Sequence, residues 1–248
     1  MRKRTSGTRG RADNASVLAP AIHIENELLA ALPRKGYARL EAALSPVALA
    51  FGEVLYEPGE PIENVYFPCT SMVSLLAPVD GHSAVEVGMV GREGMVGASL
   101  ALGIEQSPLR ALVQGEGSAL RMSAASFRLE LKRNPALQSG LDRYIHSLLA
   151  QITQTAVCNR FHVIEARLAR WLLMTRDRMK SPYFRMTHEF LATMLGVRRV
   201  GVTEAAGELQ RRNLIGYSRG VLRILDSRGL EAACCSCYQP TGISEAGR

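Results

Sequence analysis

No run of about 18 uncharged apolar residues occurs in this chain, so no transmembrane helix is expected. The basic start is not followed by the apolar core of a signal peptide, and a cytoplasmic protein with no membrane partner is the expectation. Cysteine is scarce and odd in number. Cys69, Cys158, Cys234, Cys235 and Cys237 cannot make an even disulfide framework, which fits a reducing compartment. The histidines are scattered at His23, His82, His146, His162 and His188. There is no nucleophile–base arrangement, phosphate loop or metal-ligand spacing, so no enzyme, metal or cofactor is expected. Aromatics make up only 6% of the residues, and the single tryptophan, Trp171, reads as domain core.

What is present is a globular composition. With 248 residues, 47% of them hydrophobic, the chain can form one large domain or two ordinary ones. The net charge of +7 is unevenly spread. Residues 1–21 carry five basic residues and one acid, residues 22–135 nine and thirteen, residues 136–180 seven and three, and residues 181–248 nine and six. An acidic front and a basic back half imply different partners. A basic surface attracts phosphate backbones whatever their sequence. Residues 1–21 are too rich in Gly, Ser, Thr and Arg to build a core and read as a disordered tail.

Residues 22–43 read as one or two short helices broken at Pro33. Between Val47 and Met122 the texture becomes short apolar runs: Val54–Tyr56, Val65–Phe67, Met72–Leu76, Ala84–Val87 and Ala111–Val113. Turn residues separate them, which predicts an antiparallel barrel or sandwich. Residues 124–133 read as a helix ending near Pro135. A long helix follows, in which Leu141, Ile145, Leu148, Ile152, Thr155 and Asn159 keep a four-and-three spacing. That is a heptad seam, and it predicts pairing with a second chain through Leu141, Ile145, Leu148, Ile152 and Thr155. Packing on its own domain is the competing reading. A further helix over 163–179 presents Ile164, Leu168, Trp171 and Leu172 on one face, and Ser181-Pro182-Tyr183 then breaks the chain.

The most telling stretch runs from Met186 to Ile215. Thr187 can cap a short helix with Glu189 in its first turn. Phe190, Leu191, Met194 and Leu195 face inward, and Gly196 supplies the left-handed turn. A second helix is expected to start at Val197, with Val200, Ala205, Leu209 and Leu214 inward. Arg198, Arg199, Thr203 and Glu204 fall on its first turns, where a helix-turn-helix meets base edges. Arginine binds guanine in bidentate fashion, and glutamate accepts from cytosine. His188 can meet a phosphate or stand in solvent, and Arg211 and Arg212, farther along, reach phosphate or solvent. Two short strands flank Ser218-Arg219-Gly220, placing Arg219 at a hairpin tip that can reach the DNA backbone. An ordinary αα-hairpin is the competing reading of the two helices.

In element order, and in the local match from Thr187 to Ile215, the chain resembles the cyclic-AMP receptor protein/fumarate-nitrate regulator (CRP/FNR) family of bacterial transcription factors over about residues 24–232. The resemblance implies an α+β fold in five segments: the disordered tail (1–21), a cyclic-nucleotide-binding-type β-roll of jelly-roll-like form (22–135), a dimerisation helix (136–161), a winged helix-turn-helix (162–233) and a C-terminal tail (234–248). It implies a homodimer on duplex DNA, RNA polymerase as a candidate partner, and a small-molecule effector of unknown identity. This sequence departs from the family at several points. Arg199 falls on the base-reading arginine position, but Val200 and Glu204 replace the usual Glu and Arg. In the effector region, which takes in Gly97, Ala98, Ser99, Ser107 and Arg110, Gly97 is followed by Ala98 instead of Glu. Ser107 stands at the phosphate-arginine position, with Arg110 three residues later. Ordinary cyclic-AMP binding is therefore not expected. Residues 1–40 hold no cysteine for the oxygen-sensing branch's iron–sulfur cluster. Two alternative functions are a β-roll that docks protein instead of DNA, and a redox or metal sensor built on Cys234-Cys235-Ser236-Cys237. Three thiols alone cannot complete a four-ligand zinc site, and no histidine lies near them in sequence. Cys158, His162 and Glu165 share a helical face, which reads as ordinary packing.

Overall fold

The computed structural model describes residues 25–79 and 82–239. The expected basic tail, 1–21, lies outside them. Two short helices open the described chain, α1 (Glu27–Ala30) and α2 (Arg34–Glu41), with Pro33 between them. Seven antiparallel strands follow: β1 (Ser45–Leu49), β2 (Val54–Tyr56), β3 (Asn64–Pro68), β4 (Met72–Val79), β5 (His82–Val90), β6 (Arg110–Gly115) and β7 (Gly117–Ser123). They form two sheets, ordered β1-β7-β3 and β2-β6-β4-β5. β1 and β7 are absent from the strand runs read in the sequence. Pro46 interrupts the first, a tolerable place for proline because β1 is an edge strand. In β7, polar Ser118 and Arg121 alternate with buried Ala119 and Met122.

Helix α3 (Ala124–Arg133) is capped by Ser123, and α4 (Pro135–Phe161) by Asn134 with proline at its first position. Helices α5 (Ile164–Met179), α6 (His188–Leu195), α7 (Arg199–Arg211) and α8 (Ser227–Ala233) complete the set. A third sheet, β8 (Tyr183–Arg185), β9 (Ile215–Ser218) and β10 (Val221–Ile224), runs in the order β8-β10-β9. β8 occupies the segment that reads as a chain break.

The four-stranded sheet separates two cores. Val73, Val90, Ala111 and Val113 point into the roll with Phe67, Phe127 and Leu137. Their neighbours Met72, Leu76 and Met89 point the other way, onto Trp171, Leu191 and Leu195. Alternation along a strand delivers both faces at once, so β4 reads as a continuous apolar run. Two polar links cross the same seam. Trp171 Nε1 donates to Glu86 Oε1 at 2.9 Å, and Arg178 Nε pairs with Glu93 Oε1 at 2.7 Å.

Helix α4 lays part of its heptad stripe against its own chain. Leu141 is fully buried in the roll's own core, and Ile145 and Leu148 pack against that core. Leu148 and Ile152 lie over Gly88 of β5, and Thr155 Oγ1 accepts from both terminal nitrogens of Arg170. Gln151 clamps the β5 edge, accepting from Met89 N at 2.7 Å and donating to Met89 O at 3.2 Å. The N-terminal part of the seam is thus covered from within the chain, and its later positions stay half-exposed, because a heptad stripe does not say which neighbour fills it. A second stripe faces solvent on the opposite side: Leu149, Thr153, Val157 and Phe161, with Leu149 61% and Phe161 73% exposed.

Candidate nucleic-acid interface

Helix α6 begins where Thr187 Oγ1 accepts from Phe190 N at 3.1 Å, and it ends at Gly196 in the left-handed conformation. A side chain at Gly196 would strike Val85, so both the turn and its contact require glycine. Arg198 caps α7, which starts at Arg199 and not at Val197. That phase turns Val202, Ala205, Ala206 and Leu209 inward and leaves Val200 61% exposed. The inward placement of Val200 is therefore corrected. It stands on the outer face of the first turn, beside Arg199, Thr203 and Glu204, where an apolar group can meet a thymine methyl. Its apolar character hid it from a reading that assigns apolar residues to cores.

Arg198, Arg199, Thr203 and Glu204 are all exposed. Arg199 is 70% exposed at its side chain, and its one acidic neighbour, Glu189, stands 3.9 Å away. Thr203 Oγ1 donates back to Arg199 O and lies 3.0 Å from His188 Nδ1. His188 stacks on Tyr217 at 4.7 Å, and its Nε2 is buried with no partner among the described residues. Burial, and then the Arg199 charge, lower its pKa. His188 thus braces α6, α7 and β9. Arg211 pairs with Glu208, and Arg212 with Glu165 at 2.7 Å. Arg219 sits exposed at the β9–β10 tip, where Arg219 (φ 51°) and Gly220 (φ 77°) are both left-handed, as a two-residue hairpin of this twist requires.

Residues 166–233 match the sequence model of the Crp-like helix-turn-helix domain. Whole-chain comparisons agree in fold. A CRP-family transcriptional regulator of Thermus thermophilus superposes with a TM-score of 0.66 at 18% identity, covering 79% of this chain and 100% of that one. A second Thermus thermophilus regulator, of the CRP/FNR family, gives 0.62 at 21% identity, over 76% and 97%. The c-di-GMP-responsive global regulator CLP of Xanthomonas campestris gives 0.63 at 16% identity, over 78% and 100%. No curated protein matches the sequence significantly.

The roll in front of the Crp-like domain has its expected effector residues engaged internally. A Cβ at Gly97 would meet Tyr56 Oη at 2.9 Å, Val65 at 3.1 Å and Ile62 at 3.3 Å, so its open face is packed. A 3-10 turn, Ala98–Leu102, begins there and carries Ala98 and Ser99 half-buried. Ser107 Oγ donates to Leu109 O at 2.6 Å and accepts from Leu109 N. Arg110 Nε is bound to Glu57 at 2.8 Å. Both expected anion donors are held by their own chain.

Behind the Crp-like domain, the cysteine run finds partners that sequence distance concealed. Cys158 Sγ lies 3.5 Å from Cys235 Sγ, and Cys237 Sγ 3.5 Å from His162 Nδ1. Cys234 turns aside to the Cys235 carbonyl. Burial pushes the Cys158 thiol up to about 12. A histidine therefore lies beside these thiols in the fold, although none lies near them in sequence.

Proposed function

We infer that the chain is a dimeric, sequence-specific DNA-binding transcription regulator whose roll does not take cyclic AMP in the family's usual way. The observation that carries this reading is the outer face of α7. Arg198, Arg199, Val200, Thr203 and Glu204 project together from its first turns on a rigid two-helix unit, with Arg219 at the flanking hairpin. Arg199 is placed to read guanine, Val200 to meet a thymine methyl, and Glu204 to accept from cytosine. Thr187 and Arg219 are placed for the backbone. The exposed α4 stripe of Leu149, Thr153, Val157 and Phe161 is the surface for a second copy, in place of the seam buried against the roll. The packed Gly97 face and the Arg110–Glu57 pair support the loss of an ordinary cyclic-phosphate pocket.

Selection of bound duplexes from a random pool, without added nucleotide, tests the reading. The expected result is a near-palindromic motif with half-sites about one helical turn apart. Retention of DNA without enrichment, or of none, overturns it and favours a protein-docking module.

A further inference from the structure

The cluster at the end of α4 belongs neither to the roll core nor to the Crp-like core. Cys158, Cys235 and Cys237 form a small buried group of their own, flanked by Ala166 and Cys234. With His162 they place three Sγ atoms and one imidazole nitrogen all within 4.8 Å of one another. Cys158 and His162 stand four residues apart on the last turn and cap of α4. Cys235 and Cys237 stand two apart, just after α8. We propose that Cys158, His162, Cys235 and Cys237 form a tetrahedral site for a thiophilic divalent cation, Zn²⁺ being the best fit.

The geometry suits that ion. Zn–S near 2.3 Å and Zn–N near 2.0 Å space tetrahedral ligands about 3.6–3.8 Å apart. Two of the pairs lie at 3.5 Å. Three thiolates and a neutral imidazole around Zn²⁺ leave one net negative charge, the three thiol protons leaving to solvent. Two buried arginines stand within electrostatic reach of these thiols, Arg167 and Arg170, and neither makes an ion pair among the described residues. Arg167 Nε has no hydrogen-bond partner among the described residues. An anionic centre beside them adds counter-charge to this buried basic pair. The segment is also fastened in place. Arg170 Nε donates to Cys237 O at 3.3 Å, and Tyr238 Oη donates to Asp177 Oδ2 at 2.7 Å while accepting from Arg176. Such outer contacts orient metal ligands. Half-buried His162 leaves a path for the ion.

The cation would tie the end of α4 to the end of the Crp-like domain across the α4–α5 junction. It would set the angle at which that domain leaves the long helix.

The test is Co²⁺ titration of the reduced, metal-stripped full-length chain under anaerobic conditions. One equivalent should give the intense visible bands of tetrahedral Co²⁺ with thiolate-to-cobalt charge transfer, and Zn²⁺ should displace them. H162Q and C237S should weaken uptake by more than about a hundredfold, beyond what an outer contact costs. C234S should bind like the parent. Zn²⁺ should raise the parent's Tm in a concentration-dependent way and leave that of H162Q unmoved. H162Q changes a half-exposed side chain, so its metal-free Tm should match the parent's and separate lost binding from lost folding. A folded, reduced parent that gives no thiolate–cobalt bands overturns the proposal. So does equal loss in C234S, or a Cys158–Cys235 disulfide whose reduction restores no uptake.

Discussion

The outer face of α7, proposed above to read DNA, and the Gly97–Arg110 region of the roll, where the resemblance puts an effector, are built in opposite ways. On α7 the polar groups are left open. Arg199 is largely exposed with one distant acid, and Val200 stands beside it in water. In the roll the comparable groups are used up: Ser107 on Leu109, Arg110 on Glu57, and the Gly97 face against Tyr56. A scaffold can therefore keep its architecture while one station stays available and the other closes. Between the two runs α4, one face sealed to the roll and the other bare.

The largest effects should come from that connector. Leu141→Ala should cost about 2–5 kcal/mol of stability by denaturant titration, because it opens the roll core. Leu149→Glu, on the bare face, should spare stability and shift sedimentation from dimer to monomer. The opposite pattern would return the dimer contact to the heptad seam.

Next comes Glu86, at the seam between the two regions. Burial holds its carboxyl up to about 7 against an ordinary 4.5, opposed by Ser74, Trp171, Arg178 and Arg170. Between those values the unfolded chain gives up a proton that the folded chain retains. The stability that this carboxyl contributes is therefore full below about pH 4.5 and is lost, by roughly 3 kcal/mol, as the pH rises through about 7. Glu86→Gln should flatten that slope in urea midpoints measured across the window, and an unchanged slope would place the titration elsewhere.

Arg199→Ala should cost about 1–3 kcal/mol of binding to a selected operator and much less on random DNA. Equal loss on both would reduce Arg199 to a phosphate contact. The smallest effect belongs to its counterpart. Arg110→Ala removes an exposed ion pair and should change stability by no more than about 1 kcal/mol, with operator affinity unmoved.

How much of this was legible in the chain depended on distance along it. The helix-turn-helix was readable because its signals are local: a Thr187 cap, a left-handed Gly196 and a Ser218–Gly220 hairpin. Even there, a two-residue shift in the start of α7 exchanged Val200 for Val202 in the core. Periodicity found α4 and left its neighbour undetermined, since Leu141 and Leu149 differ only in which side the roll occupies. The thiol–imidazole cluster was the least readable. Its two halves, Cys158 with His162 and Cys235 with Cys237, each show a plain short spacing, but Cys158 and Cys235 are 77 residues apart and only tertiary packing joins them.

The most direct test of the central claim is fluorescence anisotropy of the full chain on a selected operator, with scrambled duplex as competitor, before and after cyclic AMP is added. The account predicts operator-specific binding from the outset and an affinity the nucleotide leaves unchanged. Binding that scrambled DNA displaces equally well, or that forms only once cyclic AMP is present, would contradict it.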